Sequence, residues 1–365
     1  MDELLGAAKA AAHDLVRRLP DPVAPLSVLE GWTEGRVFVD DADVPKAAFV
    51  WETKNNLFLA GEPEPAMVAD LTRLFSEIVI PAGQRRGRPM SFLMYCPGKW
   101  SQHIPAMLPS RPPIADTRLC YEMDVADLQV IVSLSRLIVA PEGCALRIVD
   151  RSLLDSDGIQ NLDEMRAEIL KQWTSFDEFF AKGAGYCLVD RYAGDGRGAV
   201  TSWSLSEYPT ADDCGIGVET VEEYRQRGHG TAVSAACVKR CVEMGYNPVW
   251  DLWQSNAASK ALAERLGFRH EATYPVFYFW YNEVDNLLVN GKAFEVATEV
   301  QARTGSLISQ PSGCIRWLKH AARACAQAGL LEQALRYISN AADEGMSTEE
   351  TEQLRRELGL PPPTA

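Results

Sequence analysis

The sequence predicts a mixed α/β protein, a sheet flanked by helices that is followed by a wholly helical extension. Three observations carry this prediction. Short β-rich apolar runs alternate with helical periodicities over most of the chain. Between Cys214 and Phe268 the order strand, glycine-rich turn, helix, strand, helix can be read directly. From Val284 onward the strand-like runs stop. At 365 residues the chain exceeds what one hydrophobic core usually holds. The boundaries fall as an N-terminal α/β domain over residues 1–140, a second domain over 141–283 and a helical extension over 284–365.

Taken in order, residues 1–19 read as an Ala- and Leu-rich amphipathic helix closed by Pro20. Residues 36–40, 47–51, 57–59 and 92–95 read as strands, with a helix over 67–78. Four prolines between 105 and 115 mark a loop. Residues 127–140 are apolar enough for a buried helix or strand joining the halves. A strand follows at 145–149, then one or two helices over 162–182. A hairpin at 186–190 and 200–205 turns around Gly194-Asp195-Gly196. A last aromatic strand covers 274–281. In the extension, Gly329, Ala334, Ile338 and Ala341 are spaced like the small residues of one tetratricopeptide-like helix pair. A single such pair leaves an apolar face open, so it reads as a cap on the preceding α/β body or as a surface for a partner. Pro361, Pro362 and Pro363 read as a disordered tail.

A net charge of −14 argues against non-specific binding to nucleic acid or anionic membrane. The run Arg85-Arg86-Gly87-Arg88 reads as a solvated loop. No apolar run has transmembrane length, and the acidic start lacks the features of a signal peptide. Nine cysteines, odd in number and without a framework, fit a reducing cytoplasm. Cys237 and Cys241 lie one helical turn apart with no ligand cluster around them. They read as buried thiols, and no metal site is expected.

The stretch 214–268 carries the chemistry. A strand over 216–221 leads through Arg225-Gln226-Arg227-Gly228-His229-Gly230 into a helix reaching about Met244. That helix has Val233, Cys237, Cys241 and Met244 on one face. The first N–H groups of a helix lack internal partners and its dipole favours negative charge there. Gly228 and Gly230 let the backbone approach a phosphate with no Cβ in the way. No Gly-Lys-Ser/Thr ends the loop, and the three-glycine dinucleotide fingerprint is missing. A second strand over 249–253 leads into a helix that stops at Gly267.

These residues resemble the GNAT superfamily of N-acetyltransferases. Arg225, Gly228 and Gly230 match its Q/R-x-x-G-x-G/A pyrophosphate loop. Asn256, Ser259 and Leu266-Gly267-Phe268 match its later N-x-x-S and L-G-F. The match covers roughly residues 141–281. Around Leu29–Asp40 the chain also resembles the front half of a bacterial subgroup whose N-terminal domain is divergent. No R-x-x-G-x-G occurs in that half, so no cofactor is expected there.

The resemblance implies a twisted, mostly antiparallel sheet that binds acetyl-CoA (coenzyme A) and acetylates an amine by direct attack in a ternary complex. Backbone N–H groups from Gln226 to Thr231, His229 included, would clamp the pyrophosphate, with Arg225 and Arg227 screening it. Main-chain groups of Val218, Glu219 and Thr220 would run beside the pantetheine arm and polarise the carbonyl. Asn256 would reach the same arm or cap the helix that carries Ser259. An amine is mostly ammonium at neutral pH, so a base is needed. Asp251, within Trp250-Asp251-Leu252-Trp253, is the first candidate, since desolvation there would raise its pKa. Its alternative role is an ion pair with an Arg across the sheet. Glu219 is a weaker candidate, and Glu222 and Glu223 weaker still. Where many members carry a proton-donating Tyr, this chain has Ala263, which shifts that role to Tyr274 or Tyr278 or leaves it vacant. The His229 side chain reads as a surface residue, and Cys214 lacks the neighbouring His that an acyl-carrying nucleophile needs. Trp203, Tyr208, Trp253 and Tyr278 line the acceptor pocket or fill the core. The acceptor is a small-molecule or protein amine, and the negative charge favours a cationic one. The alternative is a non-catalytic acyl-CoA-binding or scaffold protein with a partner-binding helical tail.

Overall fold

The computed structural model describes residues 1–54, 56–85, 90–95, 99–109, 111–193, 196–281, 286, 315–327, 329–343 and 346–361. The strands are β1 (Asp2–Leu4), β2 (Gly35–Val39), β3 (Ala47–Glu52), β4 (Asn56–Gly61), β5 (Met90–Tyr95) and β6 (Ile114–Glu122). They continue as β7 (Cys144–Ile148), β8 (Gly185–Asp190), β9 (Ala199–Glu207), β10 (Asp213–Thr220), β11 (Asn247–Trp253) and β12 (Arg269–Trp280). The helices begin with α1 (His13–Val16), α2 (Val23–Leu29), α3 (Pro65–Leu74), α4 (Ile80–Arg85), α5 (Ile104–Met107), α6 (Leu128–Leu137) and α7 (Arg151–Leu154). The later ones are α8 (Leu162–Gln172), α9 (Phe176–Lys182), α10 (His229–Glu243), α11 (Ala257–Leu266), α12 (Ile315–Gln327), α13 (Leu331–Asp343) and α14 (Thr348–Glu357).

The chain divides into two units. The first holds Met1–Glu64, Met94–Trp100 and Asp116–Val276, and the second Pro65–Leu93, Ser101–Ala115 and Phe277–Ala365. The sequence-predicted boundary at 140 does not coincide with this division, because residues 1–64 share a unit with 141–276. The strands, all wholly or partly in the first unit, follow the order β1-β2-β3-β4-β5-β12-β6-β11-β10-β9-β8-β7.

In the first unit β7, β8, β9 and β10 pair antiparallel in succession. β10 then pairs with β11 in parallel, but only over Asp213–Gly215 against Asn247–Val249. A parallel pair needs a crossover, and α10 supplies it. Its Val233, Cys237 and Cys241 are fully buried, as the helical spacing predicts. Burying one such side chain stabilises by roughly 1.5–3 kcal/mol. Cys214 is fully buried in the same cluster, which removes it as an exposed nucleophile. Within residues 127–140 the helix α6 is capped by Asp127, whose side chain accepts from the Gln129 N–H, and it buries Leu134 while leaving Leu128 and Val132 exposed. Residues 1–19 do not form one helix: Asp2–Leu4 pairs with Val37–Val39 as an edge strand, and a 3₁₀ turn over Gly6–Ala12 precedes α1. The edge of β2 won over the amphipathic pattern, because an unpaired strand edge offers backbone partners a short helix lacks. The hairpin joining β8 to β9 was expected around Gly194 and Asp195, which lie outside the described residues.

In the second unit Phe75 and Phe279 meet edge to face, and the ring of Tyr281 packs on Gly83. Gln84 and Arg111 both donate to the Tyr281 carbonyl, each at 3.0 Å. Helices α12, α13 and α14 bury Ala322, Cys325, Ala334, Ile338 and Ala341, while Gly329 is exposed at φ +77° between α12 and α13. Most of the 284–314 stretch and Pro362 and Pro363 lie outside the described residues.

Candidate functional site

A cavity of about 670 Å³ opens in the first unit where β10 parts from β11. β10 contributes Val218, Glu219 and Thr220 to its wall. The turn contributes Arg225, Gln226 and Gly228, and the first turn of α10 contributes His229, Gly230 and Thr231. Asn256 and Ser259 close it from the start of α11. Of the sequence-predicted cofactor residues, only Arg227 is absent from the lining. Its guanidinium lies 6.0 Å from the centroid of the Tyr224 ring.

The local backbone explains the floor. Gly228 is the N-cap of α10 at φ +83°, and Gln226 sits at φ +60°. Only glycine enters the first conformation without a steric cost, and holding Gln226 there costs about 1–2 kcal/mol. Among the capped helices, α9 uses Ser175 and α11 uses Asn256, whose Oδ1 accepts from the Ser259 N–H at 3.0 Å. The start of α10 has no capping side chain. Its orphan N–H groups therefore face the cavity with the positive end of the helix dipole. A Cβ on Gly230 would stand 3.1 Å from Thr220 Oγ1, so glycine keeps this turn tight against β10. Arg225 is anchored by its Nε–H on the Thr220 carbonyl at 3.1 Å.

His229 corrects the sequence reading. Its main chain is at the cavity, but its ring is buried at 4 % exposure, with Nδ1 2.8 Å from Thr201 Oγ1 and its face against Tyr224. Burial, helped by Arg227, lowers its pKa and keeps the ring neutral. Asn256 caps α11 and also lines the cavity. The sequence reading missed Tyr224, Leu262 and Arg265 in the lining. The last two were legible from the helical spacing Ala258, Leu262, Arg265 that follows the Asn256 cap.

Beyond Gly215, β10 pairs only with β9 among the described residues, leaving the edge of Ile216–Thr220 open toward β11. An extended ligand arm can lie along such an edge as an added strand. Val218 and Thr220 face α10, whereas Glu219 projects to the opposite face.

That opposite face is acidic. Asp251 is not in the cavity lining. Its Oδ2 accepts from Arg118 Nε at 2.6 Å and again from Nη2, and its Oδ1 accepts from the Tyr274 hydroxyl at 2.8 Å. Burial raises the Asp251 pKa, with Arg118 and Tyr274 pulling it back. Burial opposes the charge on Arg118, yet Asp251 outweighs it and holds the guanidinium above its ordinary value. Both oxygens of Asp251 are thus engaged, the ion pair across the sheet that was its alternative reading. The Tyr274 hydroxyl is committed to the same carboxylate. Asp21, just before α2, adds a third carboxyl, pushed up to about 7 by burial and by Asp251. Tyr278 belongs to the second unit, and the cavity is lined by the first alone. Ala263 is fully buried in the apolar core. Among the described residues no group of three or more His, Cys, Asp or Glu can hold a metal ion, and no helix is long and apolar enough to cross a membrane.

The family model of the GNAT acetyltransferases matches residues 21–277. The uncharacterized N-acetyltransferase YdfB of Bacillus subtilis (strain 168) is 24% identical over 258 residues, spanning 70% of this chain and 90% of its own. A GCN5-related N-acetyltransferase-like protein from Streptococcus suis 89/1591 superposes with a TM-score of 0.55 at 23% identity, covering 75% of this chain and 100% of its own. The chain belongs to the GNAT acetyltransferase family and is an acyltransferase. The match extends well before residue 141 and takes in the Leu29–Asp40 stretch. The front half lacks the glycine loop but supplies strands and helices to the same unit.

Proposed function

We propose that the protein binds acetyl-CoA in the α10 cavity and transfers its acetyl group to an amine by direct attack in a ternary complex. The observation that carries this reading is the uncapped, glycine-built start of α10 at the floor of a cavity of about 670 Å³. The residues fit the cofactor's two ends. Orphan N–H groups, Arg225 and Arg265 suit a pyrophosphate, and the open edge of Ile216–Thr220 suits the amide-bearing arm. Bound acetyl-CoA would supply the activated thioester. The chain would hold the pyrophosphate at Gln226–Thr231, fix the arm along Val218–Thr220, and polarise the thioester carbonyl with a main-chain N–H of that edge. With Ala263 buried, no hydroxyl assists the thiolate from that position. A free thiol pKa near ~8.5 makes an unassisted departure feasible.

The acceptor reading is a cationic amine. It is supported by the carboxyl groups of Glu219, Asp251 and Asp21, set against Arg118, on the face of β10 away from the cofactor. The test is calorimetric titration with acetyl-CoA followed by a free-thiol assay over a panel of primary amines and protein N-termini. Binding with amine-dependent thiol release is expected. Binding without release over the panel would make the protein an acyl-CoA-binding module, and no binding would overturn the cavity assignment.

A further inference from the structure

Glu207 ends β9 directly opposite Gly215 of β10. Side chains at paired strand positions share a face, so Glu207 lies on the face of Gly217 and Glu219. The parallel register Gly215 to Val249 extends that face to Asp251, and the register Asp251 to Cys120 and Trp253 to Arg118 extends it to β6. The carboxyl of Glu207 lies on the backbone of β10: a Cβ added to Gly217 would stand 2.1 Å from Glu207 Oε1. A glycine at 217 is therefore what admits the carboxyl to the strand at the point where β10 parts from β11. The next residue, Tyr208, sits at φ +47°, a conformation bulky residues rarely adopt, and its hydroxyl accepts from Asn56 Nδ2 at 3.0 Å.

Two contrasts separate Glu207 from the other carboxyls. Asp251 is engaged on both oxygens, whereas the carboxyl of Glu207 has no hydrogen-bond or ion-pair partner among the described residues. Glu219 is exposed, whereas Glu207 is half-buried. On the same face, opposite Glu219, Trp203 is 4 % exposed with its indole N–H unpartnered among the described residues. An unpartnered acceptor and an unpartnered donor thus share one face of the β9–β10 pair.

We propose that Glu207 is the catalytic residue that takes the proton from the acceptor's ammonium group, a step that rests on the acetyl-CoA reading above. The ammonium gives one proton to the Glu207 carboxylate and becomes the neutral amine. The amine nitrogen's lone pair then forms the C–N bond to the thioester carbonyl carbon, and the C–S bond breaks with its electrons on sulfur. The nitrogen's second proton ends on the thiolate, and Glu207 returns its proton to solvent. The surroundings tune the group for this work. Burial pushes the Glu207 carboxyl up to about 7. From α8, Glu168 raises it and Lys171 lowers it; from β6, Arg118 lowers it; from β11, Asp251 raises it. Just past β9, Tyr208 stays a neutral phenol, its pKa pushed well up by burial and the nearby carboxylates. A base with its pKa near the working pH serves best.

The test compares the full-length wild type with Glu207→Gln and Glu207→Asp. Glu207→Gln should bind acetyl-CoA within about twofold of wild type and lose on the order of 100-fold in kcat with the amine the wild type uses. The wild-type kcat/KM should rise as pH passes about 7, that limb should vanish in Glu207→Gln, and Glu207→Asp should restore part of the rate. A readout independent of the acceptor is ¹³C NMR of protein labelled at the Glu side-chain carboxyl. One signal should titrate near 7 and be absent from Glu207→Gln. Wild-type turnover in Glu207→Gln, or no Glu signal titrating above about 5.5, would overturn the proposal alone. A wild type that binds no acetyl-CoA would overturn the cofactor reading and this step together.

Discussion

The two faces of β10 are built from different materials. On the α10 side the cavity is largely backbone: a glycine N-cap at φ +83°, an uncapped helix start, and an unpaired strand edge, with Arg225 and Arg265 at its rim. On the other side the chemistry is all side chain: strand register brings Arg118, Glu207 and Asp251 to one face, and Asp21 joins them from just before α2. One face carries orphan N–H groups that want an anion. The other carries more carboxyls than cations, and burial and mutual repulsion push two of them up to about 7. On the proposed reading, a single strand separates the charge of a pyrophosphate from the charge of an ammonium.

The largest expected effect breaks the first face alone. Gly228→Trp places a side chain at a left-handed position on the cavity floor and should weaken acetyl-CoA binding by more than about 100-fold, roughly 2.7 kcal/mol. Calorimetry measures it, and the ¹³C titration of Glu207 should persist, since that carboxyl lies on the far face.

Arg118→Met breaks the second face. It leaves Asp251 buried with the Tyr274 hydroxyl but without its cation, at a cost of about 3–5 kcal/mol read by chemical denaturation. A loss under about 1 kcal/mol would mean the pair is solvated and Asp251 is available as a base after all.

Asp21→Asn sharpens the charge argument through pH. The folded carboxyl sits near 7 against an ordinary 3.8, so its neutral form is the one the fold favours. Stability from this group is complete below about pH 4 and is lost as pH rises toward and through 7. The Asn variant should be more stable than wild type by on the order of 2 kcal/mol at pH 8 and no more stable at pH 4, measured by thermal melts at both pH values. A pH-independent difference would contradict the burial of the Asp21 charge.

The same contrast explains what the sequence disclosed. The cavity face was legible because its parts are contiguous: the glycine turn, the helix it opens, and the Asn256 cap occur in one run whose backbone chemistry follows from residue type. Eleven of the twelve cofactor residues read from that run line one cavity, and Arg227 alone stands off it. The acidic face was not legible, because Glu207 meets Gly217 only through an antiparallel register and Asp21 meets Asp251 across more than two hundred residues. A glycine inside a strand often marks a bulge or the close approach of another group, which fits Gly217. The closest side-chain approach at Gly217 is that of the Glu207 carboxyl. Asp251 stood out by its aromatic neighbours, yet the residue deciding its role, Arg118, lies on β6, which no local pattern joins to β11. His229 failed for a similar reason, since its buried partner Thr201 is on β9.

The most direct measurement of the central claim, cofactor on one face of β10 and proton chemistry on the other, is amide hydrogen exchange with and without coenzyme A. The account predicts added protection over residues 216–231, in the strand edge and the first turn of α10, with residues 21–23 and 116–122 unchanged. Protection concentrated in 21–23 and 116–122, with none at the glycine turn, would contradict it.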